Sequence, residues 1–183
     1  MNKLRLDIER FHYLNGHLEP VSNLELLIYC FHPRIVPVVV LRLSEFFYIY
    51  HLGILARLCT LLNVVFFGIE VSPRVKIGGG LFLPHTVGTV IGADVIGENV
   101  TIMQGATLGA KEIDIHFTAL SRPVIGDHVL IGAGAKIIGR VTVGDHVRIG
   151  ANAVVLVDVP AHALAVGVPA RVVISEPSNE SSM

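Results

Sequence analysis

The sequence predicts a mainly β protein: a stack of parallel β coils built from hexapeptide repeats, preceded by a small N-terminal α-helical region. Three observations carry this prediction. Ile125, Ile131, Ile137, Val143, Ile149 and Val155 follow one another at intervals of six. A second series, Val129, Ala135, Val141, Val147 and Ala153, runs four places behind the first five. Glycine follows the leading aliphatic residue at Gly126, Gly132, Gly144 and Gly150. Neither helix periodicity nor simple strand alternation has this rhythm. With so short a period, each unit buries its apolar side only by stacking on its neighbours.

Taken in order, residues 1–67 read as helices. Leu24, Leu27, Ile28 and Phe31 share one helical face, as do Leu52, Leu55, Ala56, Cys59 and Leu62. Ser22 or Asn23 caps the first of these helices, with Glu25 in its opening turn, and His32-Pro33 ends it. Residues 68–174 form the repeat domain. Its beat starts at Val71, Ile77 and Leu83, with Val75, Leu81 and Val87 in the second register. After a one-residue slip it resumes at Val90, Ile96, Ile102 and Leu108. Three hexads make one triangular coil of 18 residues, so His128 and His146 stack on adjacent coils at solvated corners. Asp145, Asn152 and Glu98-Asn99 suit corners, where unusual backbone angles are needed. The beat breaks at length only from Gly109 to Pro123, a loop that protrudes and is a candidate for function. Residues 160–174 close the domain, and 175–183 form a polar, disordered tail.

Composition excludes several classes. Of 183 residues 52% are hydrophobic, and the net charge of −1 offers no footprint for nucleic acid. Cys30 and Cys59 match neither a disulfide framework nor a metal motif, and fit reduced thiols in a cytoplasmic protein. The first ten residues are too charged for a secretory leader, and no apolar run is long enough to span a membrane. The paired apolar helices suggest a packing cap for the repeat domain or an oligomer contact, and between Leu24 and Phe67 they leave room for a peripheral membrane contact.

Four segments sharpen the reading: Gly68-Ile69-Glu70-Val71-Ser72-Pro73, Gly78-Gly79-Gly80-Leu81-Phe82, Ile131-Gly132-Ala133-Gly134-Ala135-Lys136 and Ala165-Val166-Gly167-Val168-Pro169-Ala170-Arg171. Over residues 66–174 they resemble the left-handed β-helix acetyltransferases, above all the serine acetyltransferase branch and its sugar-modifying relatives. The helical region resembles that branch's but is much shorter than in full-length bacterial enzymes. The resemblance implies a left-handed parallel β-helix, a homotrimer, and acetyl-CoA in the groove between neighbours. It assigns CoA binding to Ala133, Ala151, Gly109 and Arg171, with no metal.

Moving an acetyl group from a thioester to a hydroxyl needs a base, and imidazole suits neutral pH. His85, between Leu81-Phe82-Leu83-Pro84 and Thr86-Val87-Gly88, matches the family's catalytic histidine segment. Glu70 stands where the family usually has aspartate, and would orient the imidazole. The other histidines have no supporting pattern, except His116, which lies in the loop and is placed to touch an acceptor.

The acceptor reading rests on departures from the branch. Pro84 replaces an aspartate before the histidine, Ser121-Arg122-Pro123 replaces Arg-His-Pro, and Asn15 stands where the helical region has a substrate-holding aspartate. Without those carboxylates an amino acid's ammonium lacks partners, while Arg122 remains free to bind a carboxylate. These departures favour an O-acetyltransferase acting on a glycan hydroxyl in surface polysaccharide or glycoconjugate assembly. The alternatives are a serine O-acetyltransferase using a small-molecule acceptor and, from a different class, a non-catalytic trimeric scaffold or a metal enzyme on the same prism.

Overall fold

The structure, a computed structural model, describes residues 3–114 and 116–174; the tail expected at 175–183 lies outside the described residues. Four helices come first: α1 (Lys3–Leu14), α2 (Asn23–Tyr29), α3 (Val36–Ile49) and α4 (Gly53–Phe67). Ser22 caps α2 in a reciprocal capping box with Glu25, and Cys30 ends it ahead of Pro33. Pro37 sits in the first turn of α3, where its missing N–H costs nothing. Gly68 ends α4 with φ 63°, a left-handed value glycine adopts without strain.

Among the described residues, fourteen short strands follow. They are β1 (Ile69–Val71), β2 (Lys76–Ile77), β3 (Thr89–Ile91), β4 (Val95–Ile96), β5 (Thr101–Ile102), β6 (Thr107–Gly109) and β7 (Val124–Ile125). The second half holds β8 (Leu130–Ile131), β9 (Lys136–Ile138), β10 (Thr142–Val143), β11 (Arg148–Ile149), β12 (Val154–Val155), β13 (Ala163–Val166) and β14 (Arg171–Ile174). They form three sheets, the faces of a prism: β1-β3-β6-β9-β12, β2-β4-β7-β10, and β5-β8-β11-β13-β14. All ladders are parallel except the closing β13–β14 hairpin. The architecture is a left-handed parallel β-helix with an N-terminal helical region.

The hexad becomes three buried columns. Val71, Ile91, Leu108, Ile137 and Val155 are register partners down the first face. Ile77, Ile96, Ile125 and Val143 stack on the second, and Ile102, Ile131, Ile149 and Ala165 on the third. All are buried. Backbones approach so closely that a Cβ on Gly132 would stand 2.7 Å from Ala151 N.

Strand offsets locate the irregularities. β7–β10, β8–β11 and β9–β12 pair residues 18 apart, whereas β4–β7, β5–β8 and β6–β9 pair residues 29 apart. The loop therefore inserts 29 − 18 = 11 residues. β1–β3 pairs residues 20 apart and β3–β6 residues 17 apart, so the coil slips around residues 84–88 without a large insertion. Here the sequence reading needs correction. Val87 and Val90 are exposed, while Ile91 and Ala93 take the buried places. Thr86 Oγ1 donates to the Phe67 carbonyl at 2.7 Å, tying this corner to the end of α4.

The helical stripes need correction too. On α4 only Ala56, Cys59 and Asn63 are buried; Leu52, Leu55 and Leu62 face outward, as do Leu24, Leu27, Ile28 and Phe31 around α2. Val38 and Leu41 of α3 join the prism's own core and Phe82 packs on the Ile8–Phe11 cluster, and a polar network adds to this apolar contact. Asp7 and Arg42 pair through two bonds of 2.8 and 3.0 Å, Asp7 also accepts from Leu81 N–H, and Arg42 donates to the Ile77 and Gly78 carbonyls. Arg10 donates to the Gly80 and Val100 carbonyls and to Thr101 Oγ1. A network of this kind closes the first coil, whose upward N–H and C=O groups lack a preceding coil.

Candidate functional site

The prism has three edges, each with its own chemistry. Where the chain passes from the third face to the first, successive coils place residues 84–88, 103–106, 132–135 and 150–153 one above another. Backbone bonds join them: Gly105 N–H donates to Val87 O at 3.0 Å, Gly134 N–H to Gln104 O at 2.8 Å, and Asn152 N–H to Ala133 O at 2.8 Å. His85, Ala133 and Ala151 therefore lie along one edge. At about 4.8 Å per coil, Ala133 is about 10 Å and Ala151 about 14 Å along it from the His85 corner.

This edge leaves donors open. The N–H groups of Ala133 and Ala151 have no protein acceptor among the described residues. The edge between the second and third faces does the opposite: Glu98 N–H donates to Asp127 Oδ1 at 2.7 Å, and Asp127 N–H to Asp145 Oδ1 at 2.8 Å. Carboxylates close one row of amides, while alanines leave the other available to a ligand's carbonyls or phosphates.

Glu70 and His85 flank the start of the first face. Glu70 points outward from β1, paired with Val90 of β3, and His85 is exposed at the corner leading into β3. Neither side chain has a hydrogen-bond or ion-pair partner among the described residues, so the two groups are not joined within the single chain.

Gly109, His116 and Arg122 occupy the opposite edge of that face. Gly109 opens the loop and accepts from Gly139 N–H at 2.8 Å. Arg74 Nη1 donates to the His116 carbonyl at 2.7 Å, and the His116 side chain is exposed. Arg122 is not a free cation: its Nε is 3.1 Å from Asp114 Oδ2, its Nη1 donates to Gly92 O at 2.7 Å, and its guanidinium covers the Phe117 ring at 3.9 Å. The expectation that Arg122 meets a substrate carboxylate is therefore corrected: the group holds the loop. Burial raises the Asp114 carboxyl, but hydrogen bonds from Thr118, Ser121 and Arg122 outweigh it and hold it below the usual range. Asn15 Nδ2 donates to Phe11 O at 2.6 Å, closing the end of α1. Arg171 is exposed at the start of β14, where it pairs with Val166, the residue packed over Gly150, so it continues the edge of Ala133 and Ala151 beyond the last coil.

His128 and His146 stack as expected, with centroids 4.8 Å apart and planes within 1°. His162, which no pattern singled out, extends the ladder at 4.9 Å. All three have positive φ, and the 16-residue offset of β11–β13 hides His162 from an 18-residue count. Parallel rings aim their lone pairs side by side rather than at one point, and no metal-binding cluster exists among the described residues.

A prism with one edge of open amides, an exposed histidine at the head of that edge and a long loop along the opposite edge of the adjoining face fits a hexapeptide-repeat acyltransferase. The family model for the bacterial transferase hexapeptide (six repeats) matches residues 122–156. The serine acetyltransferase of Staphylococcus epidermidis is 45% identical over 122 residues, which are 66% of this chain and 56% of that protein. That of Bacillus pumilus is 42% identical over 134 residues, 73% of this chain and 60% of its own length. Among solved structures, a serine acetyltransferase bound to CoA superposes with TM-score 0.78 at 31% identity, covering 93% of this chain and 68% of that one. The Neisseria gonorrhoeae serine acetyltransferase bound to serine gives 0.76 at 29%, covering 93% and 67%. The chain belongs to the hexapeptide-repeat acetyltransferases, on the serine acetyltransferase-like branch. It spans little more than half the length of the curated relatives it matches.

These relatives overturn the expectation of a glycan acceptor in surface polysaccharide assembly. The physical reason lies in the departures it rested on. Asn15 caps a helix and Arg122 clamps a loop, so neither residue's change reports directly on the acceptor.

Proposed function

We propose that this chain is a serine O-acetyltransferase that works as a cytoplasmic homotrimer with acetyl-CoA as co-substrate. The observation that carries the proposal is the 45% identity to a serine acetyltransferase over 122 residues, two thirds of this chain. His85 takes the proton of the serine hydroxyl as its oxygen attacks the thioester carbonyl. Glu70 steadies the imidazole, and a backbone N–H stabilises the oxyanion. The tetrahedral intermediate expels the CoA thiolate, which receives that proton, leaving O-acetylserine and free CoA. Acetyl-CoA lies along the Ala133–Ala151 edge with its thioester toward His85.

Assembly completes this site. Within one chain His85 and the Arg122 loop stand at opposite edges of the first face, so they face one cleft only when one protomer's edge meets its neighbour's loop. Cyclic symmetry repeats that cleft three times and closes the assembly. The free thiols of Cys30 and Cys59 suit a reducing compartment. Thiol release from acetyl-CoA with L-serine as acceptor tests the reading. Turnover that disappears without L-serine supports it, and absence of turnover with L-serine overturns it.

A further inference from the structure

Helix α4 is apolar on the side it should not be. Its inward residues are the small Ala56, Cys59 and Asn63; Asn63 Nδ2 donates to Pro37 O of α3 at 3.2 Å, and Ala56 O accepts from Ser44 Oγ at 2.9 Å. Thr60 Oγ1 reaches Val71 O of β1 at 3.4 Å. On the side turned away from α3 and the prism, Ile54, Leu58, Leu61, Leu62, Val65 and Phe66 form a stripe spanning about 140° of the helix circumference. Ile54 is 84% exposed, Val65 65% and Phe66 70%. Water disfavours a stripe of this size, and a helix apolar on both sides needs a second apolar neighbour.

Charge and shape point to the neighbour. From Phe46 to Ile69 the sequence holds no acidic residue, and its one formal charge is Arg57, exposed on the flank of the stripe. The α3–α4 tip adds exposed Tyr48, Tyr50 and His51, side chains with apolar bodies and polar ends that suit a headgroup boundary. A shallow hollow lined by His51, Leu52, Gly53, Ile54 and Leu55 continues the stripe around the tip. At about 1.5 Å per residue, α4 is about 22 Å long, and no described helix is long and apolar enough to cross a membrane.

We propose that the outward stripe of α4, with the α3–α4 tip, docks the protein in the plane of a lipid surface, its apolar side chains among the acyl chains and Arg57 at the headgroups. The proposal is independent of which hydroxyl receives the acetyl group.

Co-sedimentation of the full chain with vesicles of phosphatidylglycerol and phosphatidylethanolamine, and with phosphatidylcholine vesicles, tests it. The expected result is a bound fraction with both, larger with the anionic mixture, that falls about tenfold or more in Ile54→Glu/Val65→Glu. Both positions are exposed and outside the acyl-transfer machinery, so thiol release and vesicle-free sedimentation velocity should not change. A wild-type chain that stays in the supernatant, or a double variant that binds vesicles undiminished, overturns the proposal. So does a double variant that dissociates without vesicles, which would assign the stripe to a second copy of the chain.

Discussion

Arg122 and Asp114 lock the long loop onto the prism: guanidinium Nε and carboxylate Oδ2 stand 3.1 Å apart, eight residues from each other in sequence. The same carboxylate accepts from Thr118 N–H at 2.6 Å and Ser121 Oγ at 3.1 Å, so one side chain organises the whole turn. Arg122→Ala removes the clamp and leaves Gly92 O without its donor. Amide hydrogen exchange over residues 116–122 should accelerate about tenfold or more, while β8–β12 stay protected. Unchanged exchange in the loop would show that other contacts hold it.

The clamp also has a pH signature. Because the folded Asp114 carboxyl sits below its ordinary range, its contribution is fully present above the unfolded carboxyl pKa, about 3.9, and is lost as pH falls through the folded value. Loop protection, corrected for intrinsic exchange, should be level from neutrality to about pH 5 and fall below about pH 4. Asp114→Asn should abolish that acid transition. Loss of protection already near pH 6 would implicate another group.

Asp7 is fully buried against a nearly buried Arg42. Burial alone would lower the Arg42 guanidinium, but its bonds to Asp7 and Glu45 outweigh that and raise it. Asp7→Ala leaves the Leu81 N–H unpaired and takes the two-bond partner from Arg42, which keeps Glu45 and two carbonyls, and should cost roughly 1–3 kcal/mol of unfolding free energy in urea titration. A loss below about 1 kcal/mol would mean the helices are held mainly by apolar packing.

Much of this was legible in the residues, for reasons that also explain the misses. The columns through Ile131 and Ile149 and the Ser22–Glu25 capping box are local or strictly periodic, so spacing reveals them. Near His85 periodicity misplaces the first coil by a residue, because the Thr86 bond to Phe67 sets the corner and joins residues 19 apart. On α4 the pattern exposes an apolar helix without saying which of two faces packs, and the small residues go inward. The Asp7–Arg42 and Asp114–Arg122 pairs depend on tertiary approach and leave no periodic trace. The shared edge of His85, Ala133 and Ala151 was half visible: the 18-residue spacing joins the alanines, but the 29-residue coil separates them from the histidine.

That edge makes a prediction. An aspartate at 151 would bring to this row the carboxylate that Asp127 and Asp145 supply on the neighbouring edge, and would repel the phosphates of CoA. Ala151→Asp should raise the KM for acetyl-CoA about tenfold or more, with a smaller effect on the KM for serine. Equal effects on both would place Ala151 outside the CoA path.

The most direct test of the central claim is the rate of CoA thiol release from acetyl-CoA with L-serine, measured for the wild-type chain and for His85→Ala at matched oligomeric state. The account predicts serine-dependent release by the wild type and a kcat lower by about 10²–10⁴-fold in the variant. A variant that turns over serine at the wild-type rate, or a wild type indifferent to serine, would contradict it.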